Sequence, residues 1–493
     1  AGLFSAWVER ALIGARGADF ALTALERCLL AGRVIWFYLA KLMWPADLAF
    51  IYPRWVVDAT AWWQYLFSLG VLAVVAGLGL LARRRRGPLA RAAAAGLAGF
   101  LVFAGTLFPV LGFVDVYPFV FSYVADHFQY LASLGVIVPV AAGLTFAARR
   151  IVPGARQLAP VAGAVLLAGL GVLTWRQSSI YRDAQTLYRA TLARNPNCAM
   201  AHNNLGLILS QIPGRMPEAI EHYEAAVRDN PRNVEARLNL GCALVKIPGR
   251  LADAISEFQT AVRIAPGNAE AHDNLGVALS QIPGRMPEAL AQLEAAAEMN
   301  PRSAEIQGNL GAALAKTTGR LPDAIAHFEA AVRIDPGSAK ARSNLGNALA
   351  LAPGRLPEAV QQLEAATRMD PRSANAHHDL GRSLLRVPEK LPAAIEQFEI
   401  ALRLDPNSAE AHNDLGVALL QVPGRSPEAI GHLQAAIRIK PELVEAHYVL
   451  GIALSASPGR EEESRAQIET ALRLNPDFRP AREWLEQQRA ARP

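Results

Sequence analysis

AHNNLGLILSQIPGRMPEAIEHYEAAVRDNP, Ala201 to Pro231, holds two apolar stripes of helical period separated by a Pro-Gly-Arg break. The pattern predicts helices over about 199–211 and 217–229. Gly214 supplies the left-handed conformation that ends the first, and Pro217 suits the first turn of the second, where a missing N–H costs nothing. Glu218 then complements the positive end of that second helix. The flanking sequence repeats the unit. Prolines fall at 196, 231, 266, 301, 336, 371, 406, 441 and 476, always 35 residues apart, and glycines at 206, 241, 276, 311, 346, 381, 416 and 451 keep the same period. A fixed period of this length marks a solenoid of stacked helix pairs. The break recurs at 248–250, 283–285, 353–355, 423–425 and 458–460; Thr318-Gly319-Arg320 keeps its glycine, and Pro388-Glu389-Lys390 lacks it.

Leu205, Gly206, Ala219, Tyr223, Ala226 and Pro231 reproduce the Leu-Gly, Ala, aromatic, Ala and Pro positions of a tetratricopeptide repeat. The array resembles that family in eight registers over 197–476, with one extra residue per period absorbed in the Pro-Gly-Arg loop. A half unit at 181–196 leads it, and a polar helix carrying Arg482, Glu483 and Glu486 closes it, as a solenoid end in water requires.

Stacked helix pairs curve, and the first helix of each pair is expected to line the concave side. Immediately before each Leu-Gly stands Asn204, Asn239, Asn274, Asn309 or Asn344, then Asp379 and Asp414, and finally Val449. A row of Asn at fixed spacing offers donors and acceptors to an extended peptide backbone whatever its side chains. The row is similar to the asparagine ladder of O-GlcNAc transferase repeats; the alternative is that each Asn bonds only to neighbouring helix termini. His202, His272, His377, His412 and His447 share another repeat position, which points to packing or surface duty and not to metal. Cys242 aligns with Leu207 and Val277 and is expected in the core, and neither Cys28 nor Cys198 has a partner at zinc-site spacing. No phosphate loop, dinucleotide fingerprint, metalloprotease motif or nucleophile elbow occurs, and no metal or cofactor is expected.

The first 180 residues differ in kind. They hold 15 basic and 7 acidic residues, against 34 and 37 in the rest, and seven of the eight Trp. The net charge of +5 therefore mixes two surfaces. Arginines at 83–86, 91, 149, 150 and 156 account for the basic excess, which leaves no basic stripe for nucleic acid. A hydrophobic share of 52% excludes a disordered chain, and three Cys exclude a disulfide scaffold.

Apolar runs at 61–82, 92–113, 131–148 and 158–175 lack internal charge and are long enough to cross a hydrocarbon core of about 30 Å. A fifth segment, 22–44, is interrupted by Arg33 and Lys41; it either spans with those cations facing protein or lies in the interface, and spanning is preferred. The competing reading is a set of buried helices in a large soluble core. Arginine clusters mark cytoplasmic loops, so the loop 114–130 faces outward and the last span delivers the repeats to the outer side. The expected fold is all-α, polytopic transmembrane helices followed by a repeat solenoid, with domains 1–180 and 181–493. The expected location is a bacterial inner membrane with the array in the periplasm. The chain begins without Met, and Glu9 and Asp19 break any signal-peptide pattern, so the sequence reads as a fragment lacking an upstream part.

Leu29 to Trp55 and Phe108 to Gly135, followed by a further span and then the repeats, resemble the latter half of the transmembrane and tetratricopeptide repeat-containing O-mannosyltransferase family, of GT-C type. That resemblance implies a polyprenyl-phosphate sugar donor, a protein or peptide acceptor held by the repeats, contact with membrane lipid, and catalytic carboxylates in a loop upstream of anything present here. Asp126 and His127, at the place of a similar acidic-basic-aromatic stretch in that family, are candidates to orient the lipid-linked phosphate or the acceptor, and Arg33 and Lys41 to neutralise that phosphate from the membrane side; the alternative is an interfacial loop and snorkelling cations. Without the upstream loop the chain is not expected to catalyse sugar transfer alone. The alternative function is a membrane-tethered repeat scaffold without catalysis.

Overall fold

The computed structural model describes residues 22–43, 45, 48–84, 87–113, 122–125, 130–151 and 155–490. The described residues form helices and turns, with no strand among them. Two compact units divide after Glu257, inside the second helix of the second repeat.

The first unit begins with α1 (Ala24–Met43). Thr23 and Glu26 form a capping box there: the Thr23 N–H donates to the Glu26 carboxylate at 2.8 Å, and the Glu26 N–H to Thr23 Oγ1 at 3.3 Å. A 3-10 turn at Trp62–Gln64 leads into α2 (Tyr65–Ala82), followed by α3 (Pro88–Thr106), α4 (Leu134–Ile151) and α5 (Ala155–Ser178). The expected spans are thus all helical, but their bounds move. Pro88 at the first turn starts α3 before Arg91, and the chain tightens into a 3-10 turn at Phe108–Val110, where Pro109 cannot continue the ladder. α4 carries Pro139 internally.

Five spans are not supported. Among the described residues two helices, Trp62–Ala82 and Pro88–Thr106, are long and apolar enough to cross a membrane. By contrast α1 is a core element: Leu30, Val34 and Tyr38 pack with Phe103, Leu107 and Leu111. The Tyr38 hydroxyl donates to the Ala125 carbonyl and accepts from the Ala125 N–H, both at 3.1 Å. Close helix approach rests on small residues. A Cβ on Gly32 would lie 2.6 Å from the Ser68 backbone nitrogen, and one on Gly99 would lie 2.3 Å from the Gly135 carbonyl oxygen.

The same unit contains α6 (Ala184–Arg194), which is the expected half repeat, the first pair α7 (Ala199–Ser210) and α8 (Met216–Asp229), and the next first helix, α9 (Val234–Val245). Ile51 packs with Cys198 and Ala201, so the start of the array shares a core with the N-terminal segment. Cys242 is exposed, not in the core; its repeat position points outward, as the exposed Leu207 also does.

The second unit holds the remaining pairs, ending with Val444–Ser455 and Glu461–Leu474, and then Arg479–Ala490, whose Ala481, Trp484 and Leu485 close the last apolar layer. The repeat glycines sit where the two helices of a pair touch: a Cβ on Gly311 would be 2.9 Å from the Phe328 ring. Seven of the loops between paired helices hold a glycine at φ between +74° and +83°, from Gly214 to Gly459. The loop without glycine instead makes a 3-10 turn over Pro388–Lys390.

Two regular features were not anticipated. Asn233, Asn268, Ser303, Ser338, Ser373 and Ser408 each cap a first helix by accepting a backbone N–H three residues on, each worth about 1 kcal/mol. The loop arginines also join one second helix to the next. Arg355 pairs with Glu358 of its own helix at 2.6 Å and with Glu329 of the preceding repeat at 3.3 Å; Arg250, Arg320 and Arg425 repeat the bridge to Glu224, Glu294 and Glu399.

Candidate functional site

Helical phase decides which side chains the repeats present. Leu and Gly of each Leu-Gly pair face the second helix and are buried, so the residue just before them lies at the margin of that face. Asn204, Asn239, Asn274, Asn309, Asn344, Asp379 and Asp414 are accordingly all half-buried, in one register.

These side chains are not idle. In the first unit Asn204 Nδ2 donates to the Tyr188 hydroxyl at 3.1 Å. Asn239 Nδ2 donates to Asn203 Oδ1 at 2.9 Å, while Asn203 Nδ2 donates to the Glu235 carboxylate at 3.0 Å. In the second unit Asn309 Nδ2 donates to Asp273 Oδ2 at 2.9 Å, and Asp379 accepts from Asn347 Nδ2 at 2.7 Å. Asp414 accepts from His378 Nε2 at 2.9 Å, with Arg382 Nε 3.7 Å away. Asn274 and Asn344 have no side-chain hydrogen bond among the described residues. Asn204 thus bonds back to α6 of the half repeat, and Asn239, Asn309, Asp379 and Asp414 bond within each unit from one first helix to the next, not to helix termini. Asn239 and Asn309 each spend a donor on this, and each amide oxygen remains an acceptor without a partner among the described residues.

The bonding partners Asn203, Asp273 and His378 share the position one residue earlier, which the sequence reading passed over. That position holds Asn203, Asp273, Ser343, His378 and Asn413 in five repeats, and Leu238, Gly308 and Tyr448 in the other three; the varied residue types hide a register that polarity alone reveals. Burial pushes the Asp273 carboxyl up to about 6, with Glu305 and Glu270 adding to the rise and the bond from Asn309 opposing it. Burial likewise raises Asp379, against the bond from Asn347.

Two clefts of the second unit lie on this face. One of about 260 Å³ is lined by Glu305, Gly308, Asn309, Asp335, Lys340 and Asn344, and so joins two consecutive members of the row. Another of about 270 Å³ is lined by His378, Arg382, Glu410, Asn413, Asp414 and Glu445.

The repeat histidines brace helix pairs. His272 Nε2 meets the Pro266 carbonyl at 3.1 Å and therefore donates, while Nδ1 meets the side-chain amide of Gln292 at 2.7 Å. His377 and His447 do the same with Gln397 and Gln467. In two repeats the partner is a second imidazole: His202 with His222 and His412 with His432, each Nδ1 to Nδ1 at 2.9 Å. Among the described residues no group of three or more His, Cys, Asp or Glu is placed to hold a metal ion.

In the N-terminal segment, Arg33 lies with its guanidinium carbon 4.3 Å from the centre of the Trp55 ring and 5.8 Å from that of Trp63. A cavity of about 670 Å³ opens beside it, walled by Trp36, Phe37, Trp55, Leu66 and Phe67. Lys41 Nζ is 5.5 Å from the Tyr52 ring centre and 5.8 Å from that of Phe37, and Lys41 does not line that cavity. Asp126 and His127 lie outside the described residues.

Models of the tetratricopeptide repeat match residues 170–213, 214–269, 284–339 and 389–444, and a second model of the same name matches 315–384. No curated protein matches the chain. Among solved structures, the repeat protein YrrB, described as having an unusual peptide-binding site, is 23% identical over 39% of this chain and 97% of its own, with a TM-score of 0.32. A thermophilic repeat protein of Thermus thermophilus, TTC0263, is 27% identical over 38% and 99%, with a TM-score of 0.34. PilF of Pseudomonas aeruginosa is 19% identical over 44% and 97%, with a TM-score of 0.38.

Proposed function

We propose that this chain, a tetratricopeptide-repeat protein, captures an extended polypeptide along the face formed by its first helices. The observation that carries the reading is the half-buried row, in one register within each unit, with one cleft of the second unit joining Asn309 to Asn344 and another bordering Asp414. Asn309 and Asn344 border one cleft together and keep acceptor oxygens free for backbone N–H groups. Replacing both with Ala in the full chain is expected to weaken binding of an unstructured peptide at least tenfold without lowering the melting temperature by more than a few degrees. Unchanged affinity would remove the row from the account.

The N-terminal helices serve, in this proposal, to hold the array at a membrane. The support is α2, which has no buried residue and presents Leu66, Leu69, Leu72 and Leu80 outward, a patch that water does not tolerate in a monomer. We place the repeats on the periplasmic side of a bacterial inner membrane, on the strength of the arginine clusters alone.

A second reading makes the chain the C-terminal part of an O-mannosyltransferase-like enzyme using a polyprenyl-phosphate sugar. The observation favouring it is Arg33, a guanidinium bonded to no carboxylate among the described residues and set beside an aromatic-walled cavity. Such a site suits an anionic headgroup with an apolar tail. A photoreactive polyprenyl phosphate is expected to label the Arg33 cavity of the full chain and to lose that labelling in Arg33→Ala. Equal labelling of both proteins would discard the reading and leave the membrane-tethered scaffold.

A further inference from the structure

The first-helix face of the second unit contains buried acceptor atoms that nothing among the described residues satisfies. Asn413 is 9% exposed, and its Nδ2 donates to Asp414 Oδ1 at 3.0 Å. That bond to a carboxylate fixes which way the amide points, and it leaves Asn413 Oδ1 buried, at the lining of a cleft, without a donor. Asp273 is 6% exposed; Oδ2 accepts from Asn309, and Oδ1 has no partner. Each orphaned acceptor is destabilising, more so when charged. The two residues occupy the same repeat position, 140 residues or four periods apart.

Charge around both positions has one sign in excess. Glu270 and Glu305 stand near Asp273, with Lys340 as the opposing cation. Glu410, Asp414 and Glu445 line the cleft at Asn413, where Arg382 is the fixed cation and His378 bonds Asp414; Lys440, outside the lining, is tied to Glu410 at 2.8 Å. Among the first helices of the first unit, Ala199–Ser210 carries no acidic residue, and in Val234–Val245 Glu235 already accepts from Asn203. Among the first helices, surplus carboxylates are thus a feature of the second unit.

We propose that the first-helix face of the second unit takes an extended, lysine- or arginine-rich segment of another protein, whose N–H groups donate to Asn413 Oδ1 and Asp273 Oδ1. This rests on the peptide-capture reading above and adds the chemistry of the partner. An acidic segment would bring carboxylates against Glu305, Asp335, Glu410 and Glu445, and would offer acceptors where acceptors are already in surplus. A cationic segment supplies both the missing donors and the missing charge. The elevated carboxyl of Asp273 fits the same picture: its charged form is disfavoured by its surroundings until a cation arrives.

The test uses the full chain and three 15-residue Gly-Ser peptides bearing five Lys, five Gln or five Glu, followed by fluorescence anisotropy. The lysine peptide is expected to bind at least tenfold tighter than the glutamate peptide, with affinity falling as salt rises. Asp273→Asn keeps the shape and removes the charge; it is expected to fold, to melt at least as high as the parent, and to lose about fivefold or more for the lysine peptide alone. Equal binding of all three peptides, weakened together by Asn309→Ala and Asn344→Ala, would overturn the charge preference and leave peptide capture standing. Binding of no peptide, or binding indifferent to Asn309 and Asn344, would overturn the capture reading itself. Preference for the glutamate peptide would contradict the proposal outright.

Discussion

Glycine is used in opposite ways in α2 and in the repeats. Gly77 and Gly79 of α2 have nothing within 4 Å of where a Cβ would stand, whereas the repeat glycines are pressed against a partner helix, Gly206 at 2.8 Å from Tyr223 and Gly276 at 2.6 Å from Leu293. The repeats solve the hydrophobic problem by close packing, which demands a missing side chain at each crossing. The α2 helix solves it only in part: Val71, Val74 and Val75 rest half-buried on the N-terminal core, while Leu66, Leu69, Leu72 and Leu80 face outward. The difference teaches that similar Gly and Ala usage serves a solenoid core in one region and a helix with no protein partner on most of its surface in the other.

The comparison breaks most visibly with a charge. Leu72, 63% exposed in the middle of α2, replaced by Lys is expected to cost about 2.5–3.5 kcal/mol of insertion if that surface lies in lipid, and to be nearly neutral in water. Flotation of the full chain with liposomes reads this out, and undiminished flotation of Leu72→Lys would place α2 outside the bilayer. A somewhat smaller effect is expected from valine. Gly311→Val forces the Phe328 ring aside at a cost of about 1–3 kcal/mol, while Gly77→Val leaves the thermal melt unchanged. Equal melts for the two variants would mean that the repeat crossings are looser than described.

The smallest effect sharpens the repeats themselves. His432 is held below the ordinary imidazole range by burial and by His412. As pH falls through the usual His range the unfolded chain takes up the proton first, so the stability this ring contributes is present above that range and lost below it. Repeats with Gln292, Gln397 or Gln467 at the same position lack that liability. His432→Gln is expected to narrow the difference in melting temperature between pH 7.5 and 5.5 by about 1–2 °C. A wider difference would remove the imidazole pair as the source of acid sensitivity.

Period carries more information than composition, and that decided what was legible. The helix pairs, the left-handed glycines and the small residues at crossings follow from positions 35 residues apart, so Gly214, Pro217 and Gly206 could be read with their roles. The deviant loop at Pro388 was visible too, although the 3-10 turn that replaces the glycine was not. The row was legible as a row of Asn, but its bonds were not, because three of them run to Asn203, Asp273 and His378, a position whose residue type changes from repeat to repeat. The capping serines and the bridging arginines escaped for a different reason: each joins groups set by where the helices start and stack, which no single unit specifies. In the N-terminal segment there is no period to lean on. Hydropathy found helices there but misplaced their ends at Pro88 and Phe108, and of its five spans two described helices are long and apolar enough to cross a membrane.

The central claim is that polypeptide lies along the first-helix face. A photo-crosslinking residue placed at Gly308, where nothing lies within 4 Å, probes that face, and one at Ala365, on a second helix, probes a cavity lined by Gln361, Gln362, Arg368 and Met369 of that helix and by Arg342. With the lysine-bearing peptide and the full chain, the account predicts a crosslinked product from position 308 and none from position 365. A product from 365 and none from 308 would contradict it.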